Sequence, residues 1–196
     1  MAKTQTQPAK SRTVHTEQRQ IYTLEYATAV CPHESLANNL SSTFGLNPVD
    51  GATIREQIEE LIVRAANELT DNLNAKVMQM HLQRIVGAYV SSACGAGQFY
   101  GTKATQARDL TSRLANDERD EDRGGPYGFD DRAARVRLFA AETGLQAFAL
   151  LAAAQGAVSA YAHITGQDWK PYEPARPTGQ SASRRSAAAE IAAFES

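Results

Sequence analysis

A chain of 196 residues, 42% of them apolar, can bury one core, so one domain with short flanking segments is expected. Its 20 Lys and Arg against 22 Asp and Glu leave a net charge of −2 and no long basic block, which argues against a dedicated nucleic-acid binder. Two cysteines, Cys31 and Cys94, cannot build a disulfide framework, and the opening MAKTQTQPAKSRT lacks the apolar run of a secretory signal; a reducing, cytoplasmic setting is the expectation.

The alternation of Val, Ile and aromatic residues that marks strands is nearly absent, while Ala, Glu, Gln, Arg and Leu abound. The predicted fold class is all-α: a helical bundle of about five helices in residues 21–170, with a long central C-terminal helix and disordered tails at 1–20 and 171–196. Residues 1–20 carry Lys3, Lys10, Arg12 and Arg19 among polar side chains, with almost nothing to bury. Ile21, Tyr22, Leu24, Tyr26 and Val30 form the first apolar cluster, read as a short helix or an extended arm ending before Pro32.

Leu36, Leu40 and Phe44 at four-residue spacing predict a helix over 35–44, stopped by Gly45. Thr53 and Glu56 have capping-box spacing, and Ile54, Ile58, Leu61, Ile62, Ala65 and Leu69 make the stripe of the next helix, which should end near Thr70 and Asp71. A further helix follows, capped by Asp71 or Asn72, with Val77, Met78, Leu82, Ile85, Val86 and Tyr89 inside. Gly95, Gly97 and Gly101 each weaken a helix by up to about 1 kcal/mol relative to Ala, so a kink or short turn is expected there before helical spacing resumes over 102–116. The charged, Gly-rich stretch NDERDEDRGGPYGFDD then reads as a surface loop ending in a cap at Asp130 or Asp131.

The central helix is read over 131–164, bounded by Gly166. Leu138, Leu145, Ala152 and Ser159 recur every seven residues, and Ala141, Phe148 and Gln155 form a parallel row. From Gly144 to Gly166 no residue is charged, yet Ala, Gly, Ser and Gln predominate, which suits close helix packing. The run has the length of a membrane span, about 20 residues; Gln146, Gln155, Ser159 and His163 count against that reading, so a membrane partner is not expected. Beyond it, Trp169 and Tyr172 are expected to dock on the bundle, and residues 187–194 to form a short helix with Ile191 and Phe194 as docking anchors.

No group of residues implies one chemistry. Glu56, Glu59, Glu60, Glu68 and Asp71 offer carboxylates, but no Glu-x-x-His pair completes a di-iron site. Asp117, Asp120 and Asp122 fail the EF-hand spacing, since Asp122 falls where Gly is needed and Gly128 where Glu is needed. Cys31, His33, His81 and Cys94 have zinc-ligand types, yet His81 and Cys94 on one continuous helix would lie roughly 20 Å apart. Ser91 and Ser92 lack a nucleophile elbow, His163 lacks an identifiable orienting acid, and Gly95-Ala96-Gly97 lacks the P-loop ending. No cofactor and no metal is expected, and the reading rests on pattern alone.

Two functions follow as expectations. One is a non-enzymatic interaction or accessory protein acting through helix packing, as a homo-oligomer or with a protein partner, with Leu145, Ala152, Gly156 and Ser159 as the candidate interface. The other is a small-ligand-binding or enzymatic bundle with a pocket at the Gly95–Gly101 kink, where His81, Gln98, Phe99, Tyr100 and His163 would converge.

Overall fold

The computed structural model describes residues 21–70, 74–116 and 129–172. They form five helices: α1 (Leu24–Val30), α2 (His33–Phe44), α3 (Gly51–Thr70), α4 (Ala75–Asn116) and α5 (Phe129–Thr165), with no strand among the described residues. The all-α class and the long C-terminal helix are as the periodicity predicted. The two tails, the proposed Ile191 and Phe194 docking helix, and the acidic loop with its Asp117, Asp120 and Asp122 lie outside the described residues.

Local chemistry sets most helix ends. Thr23 Oγ1 accepts from the Tyr26 amide at 3.1 Å and caps α1, which resolves the choice between helix and extended arm. Pro32, with φ −61°, opens α2 in the extended conformation that a helix N-cap requires. Gly45 closes α2 at φ +67°, with Leu46 N–H donating back to the Leu40 carbonyl at 2.9 Å, and Gly166 closes α5 at the same φ.

Two caps differ from the sequence reading. Asp50, rather than Thr53, caps α3: its Oδ1 accepts from Ala52 N at 3.1 Å and its carbonyl from Ile54 N at 3.3 Å. Asn74, rather than Asp71 or Asn72, caps α4 in the same manner, with its Oδ1 2.9 Å from Lys76 N and its carbonyl 3.0 Å from Met78 N. In both cases a short acceptor side chain just outside the first turn reaches an amide that the helix leaves unpaired.

The expected kink is absent, and α4 runs unbroken through Gly95, Gly97 and Gly101 for 42 residues. Val90, Ala93, Cys94, Gly97 and Tyr100 are buried at helical spacing along this stretch. Burial of a Val or aromatic side chain contributes about 1.5–3 kcal/mol, which outweighs about 1 kcal/mol per glycine.

The central place of α5 is set by packing on four sides: it lies along α4 and α3, with α2 and α1 completing the cover. Gly156 faces Arg55 and His163 faces Glu59, so α3 and α5 run parallel. Gly144 faces Tyr100 while Tyr161 faces Gln79, so α4 runs antiparallel to α5. The larger core cluster joins Ile62 and Ala66 of α3, Leu82, Val86 and Val90 of α4, and Leu151, Ala154, Ala157 and Tyr161 of α5. A smaller one gathers Leu36 and Leu40 of α2 with Tyr100, Ala147 and Phe148.

Trp169 packs half-buried on the larger cluster, but Tyr172 stands 77% exposed and does not dock. One helix among the described residues, Asp131–Thr165, is long and apolar enough to cross a membrane, and 56% of its most apolar window is buried inside the bundle.

Candidate functional site

The five residues of the expected pocket do not converge. Because α4 is continuous, His81 and Gln98 stand roughly 25 Å apart along one axis. His81 is exposed, while Gln98 donates to the Tyr26 hydroxyl at 2.6 Å. Tyr100 is buried and takes a hydrogen bond from Asn39. Phe99, 48% exposed, meets Phe139 edge-on at 6.0 Å, and Lys103 Nζ sits 5.2 Å and 5.6 Å from the two ring centres. His163, near the far end of α5, lies 3.7 Å from Glu59 Oε1.

The zinc-type ligands are likewise dispersed, and among the described residues no three His, Cys, Asp or Glu side chains come together as a metal site. Both cysteines are free and buried, and burial pushes the Cys31 thiol up to about 11 and also raises Cys94, which leaves both in the unreactive thiol form. His33 serves packing: its ring stacks on Phe148 at 4.2 Å, its Nε2 is 3.0 Å from the Phe148 carbonyl, and it lies against Gly51.

The small-residue interface is also occupied, by the chain itself. Ala152 is fully buried, and a Cβ on Gly156 would stand 2.3 Å from the Arg55 carbonyl oxygen of α3. Ser159 is half-buried. The close helix approach anticipated for this face is therefore made within one chain. Leu145 differs, with 37% of its surface exposed, and Leu138 in the same seven-residue row is 63% exposed.

This row changes character where α3 begins. Gly51 at the start of α3 meets His33, which stacks on Phe148, so α3 covers α5 only from about that level onward. Before it, α2 flanks α4 and α5 on one side, and the side that α3 takes further along is left open among the described residues. Phe99, Lys103, Leu138, Phe139 and Leu145 line this ledge, interleaved with the exposed charges of Arg135 and Glu142. The periodicity places Leu138 and Leu145 on one face, but it has no signal for the level of α5 at which α3 begins to cover it.

No family model, curated protein or solved structure matches this chain.

Two clefts stand out among the described residues. The larger, about 540 Å³, lies where α3 ends, α4 begins and α5 ends, between Met78, Leu82 and Ile164 with Gln79 and Gln167 at its edge. Gln79 already bonds both the Tyr161 hydroxyl and Gln167 at 3.3 Å, so its amide is engaged within the fold. The smaller cleft, between α2, α4 and α5, has two arginines in its wall.

Proposed function

We propose that the protein acts as a non-enzymatic helical interaction protein that self-associates through the uncovered stretch of α5. The observation that carries this reading is the exposure of Leu138 and Leu145 in a row whose next member, Ala152, is fully buried. Neighbouring large apolar side chains exposed on one face mark an interaction surface more often than isolated ones do.

A second copy of the chain is the occupant that suits this ledge. Two copies related by a two-fold axis near Leu138 would contribute α4 and α5 each, closing both ledges as a four-helix arrangement. The same axis would set Arg135 of each copy opposite Glu142 of the other, because those two residues flank Leu138 at similar spacing. A stripe of one charge sign would repel its own copy, and this one complements it.

Sedimentation equilibrium at micromolar concentration is expected to give a dimer. Leu138→Asp combined with Leu145→Asp should give a monomer of unchanged helicity, since both side chains are exposed within one chain. Glu142→Arg should weaken the dimer, and adding Arg135→Glu in the same chain should restore it. A wild-type chain that sediments as a monomer throughout would overturn the reading.

A further inference from the structure

Arg137 precedes Leu138 and points about 100° away from it around α5, into the smaller cleft of about 270 Å³. Arg108 of α4 lines the same cleft, with Asn39, Thr43 and Phe44 of α2 and Thr111 of α4. Among the described residues no Asp or Glu lines it.

Among the described residues the donors there are only partly used. Arg137 Nη2 donates to the Thr43 carbonyl at 3.3 Å, one of the five N–H groups that a guanidinium carries. Thr43 Oγ1 donates to Asn39 Oδ1 at 2.8 Å, and Asn39 in turn donates to the Tyr100 hydroxyl, so the α2 wall is held from the core. Thr111 Oγ1 bonds the Ala107 carbonyl at 2.9 Å and is fixed on its own helix. Burial pushes the Tyr100 hydroxyl up, while its Asn39 hydrogen bond and the charge of Arg108 pull it back.

We propose that this cleft binds a small phosphate monoester, its phosphate between Arg108 and Arg137 and its organic part against Phe44 and the alanines of α4. Two guanidinium groups match the charge of about −1.5 to −2 on a phosphate monoester near neutral pH, whereas one carboxylate would leave a cation uncompensated. Their planar forks also suit bidentate contact with phosphate oxygens. Phe44 supplies an apolar wall that free inorganic phosphate does not need, which favours an organic phosphate over the bare ion. The cleft shares no residue with the ledge, so this inference stands apart from self-association.

Thermal melting and calorimetry of the full chain with phenyl phosphate, inorganic phosphate, benzoate and sodium chloride at matched ionic strength test it. Phenyl phosphate should raise the melting temperature in proportion to the logarithm of its concentration, inorganic phosphate should do so less, and benzoate and chloride not at all. Arg108→Gln and Arg137→Gln should each weaken phenyl phosphate binding about tenfold or more, while Arg84→Gln, elsewhere on α4, should leave it unchanged. If a Gln variant loses helicity, Arg108→Lys or Arg137→Lys keeps the charge without the fork and should still weaken binding. No shift with either phosphate, equal binding of benzoate, or wild-type affinity in the doubly substituted chain would overturn the proposal.

Discussion

Gly156 and Gly95 are both helical glycines, and the same substitution should move them in opposite directions. A Cβ at Gly156 would meet the Arg55 carbonyl oxygen at 2.3 Å, backbone against backbone with no side chain able to swing aside. Gly156→Ala is expected to destabilise the fold by about 3 kcal/mol, at the upper end for overpacking. Nothing lies within 4 Å of a Cβ built at Gly95, so Gly95→Ala should stabilise by about 0.5–1 kcal/mol through helix propensity. Urea denaturation of the two variants checks both signs, and stabilisation of Gly156→Ala would contradict the helix register. Cys31 carries a second residue-scale consequence. Its thiol moves from an ordinary 9.0 to about 11 on burial, so above pH 9 the unfolded state gives up its proton first. Stability from this group is complete below pH 9 and falls, by up to about 1.4 kcal/mol per pH unit, as the pH rises toward 11. Cys31→Ala should flatten that decline, and identical slopes for variant and wild type would exclude the effect.

At the scale of one helix, the N-terminus of α3 offers a choice between two candidate caps that mutation can separate. Asp50 accepts from Ala52 N, whereas Thr53 lies within the first turn with its side chain exposed. Asp50→Ala should cost about 1 kcal/mol and Thr53→Ala should stay within about 0.5 kcal/mol of wild type. A larger loss at Thr53 would restore the capping box read from the sequence. The unbroken course of α4 belongs to this scale too. Gly97 is the glycine there that packing requires, since its added Cβ would stand 3.0 Å from Cys31 Cβ and 3.2 Å from Val30 Cγ1, where the turn between α1 and α2 presses on α4. Gly95 and Gly101 meet nothing. Three glycines in the sequence look alike, and only their neighbours separate a close approach from an open face.

Across the molecule, stability should be distributed as burial is. Leu151 to Ala160 of α5 runs between α3 and α4 with Leu151, Ala152, Ala154, Gly156, Ala157 and Ala160 buried. By contrast α1 buries Ala27 alone. Native-state hydrogen exchange should therefore be slowest along Leu151–Ala160 and faster by orders of magnitude in α1, which can open locally while the three long helices stay together. Equal protection in both would mean that α1 unfolds only with the whole chain. The self-association test sits at the same scale, because it asks whether the face of α5 that α3 leaves exposed is covered by another copy.

The amino-acid sequence by itself determined the helical class, the course of the central helix and the stops at Gly45 and Gly166, because each depends on interactions within a few residues. It also placed Leu138, Leu145 and Ala152 on one face, since periodicity reports which residues share a face. How far a neighbouring helix reaches along that face is a long-range quantity, and the tertiary structure decided it: α3 begins beside Phe148, closes on Gly156, and leaves Leu138 and Leu145 exposed. The same reason separates the expected pocket from the observed cleft. Convergence of His81, Gln98 and His163 requires a break in α4, and that helix is continuous. Arg108 and Arg137, 29 positions apart in sequence, share a cleft because α4 and α5 run antiparallel at that level.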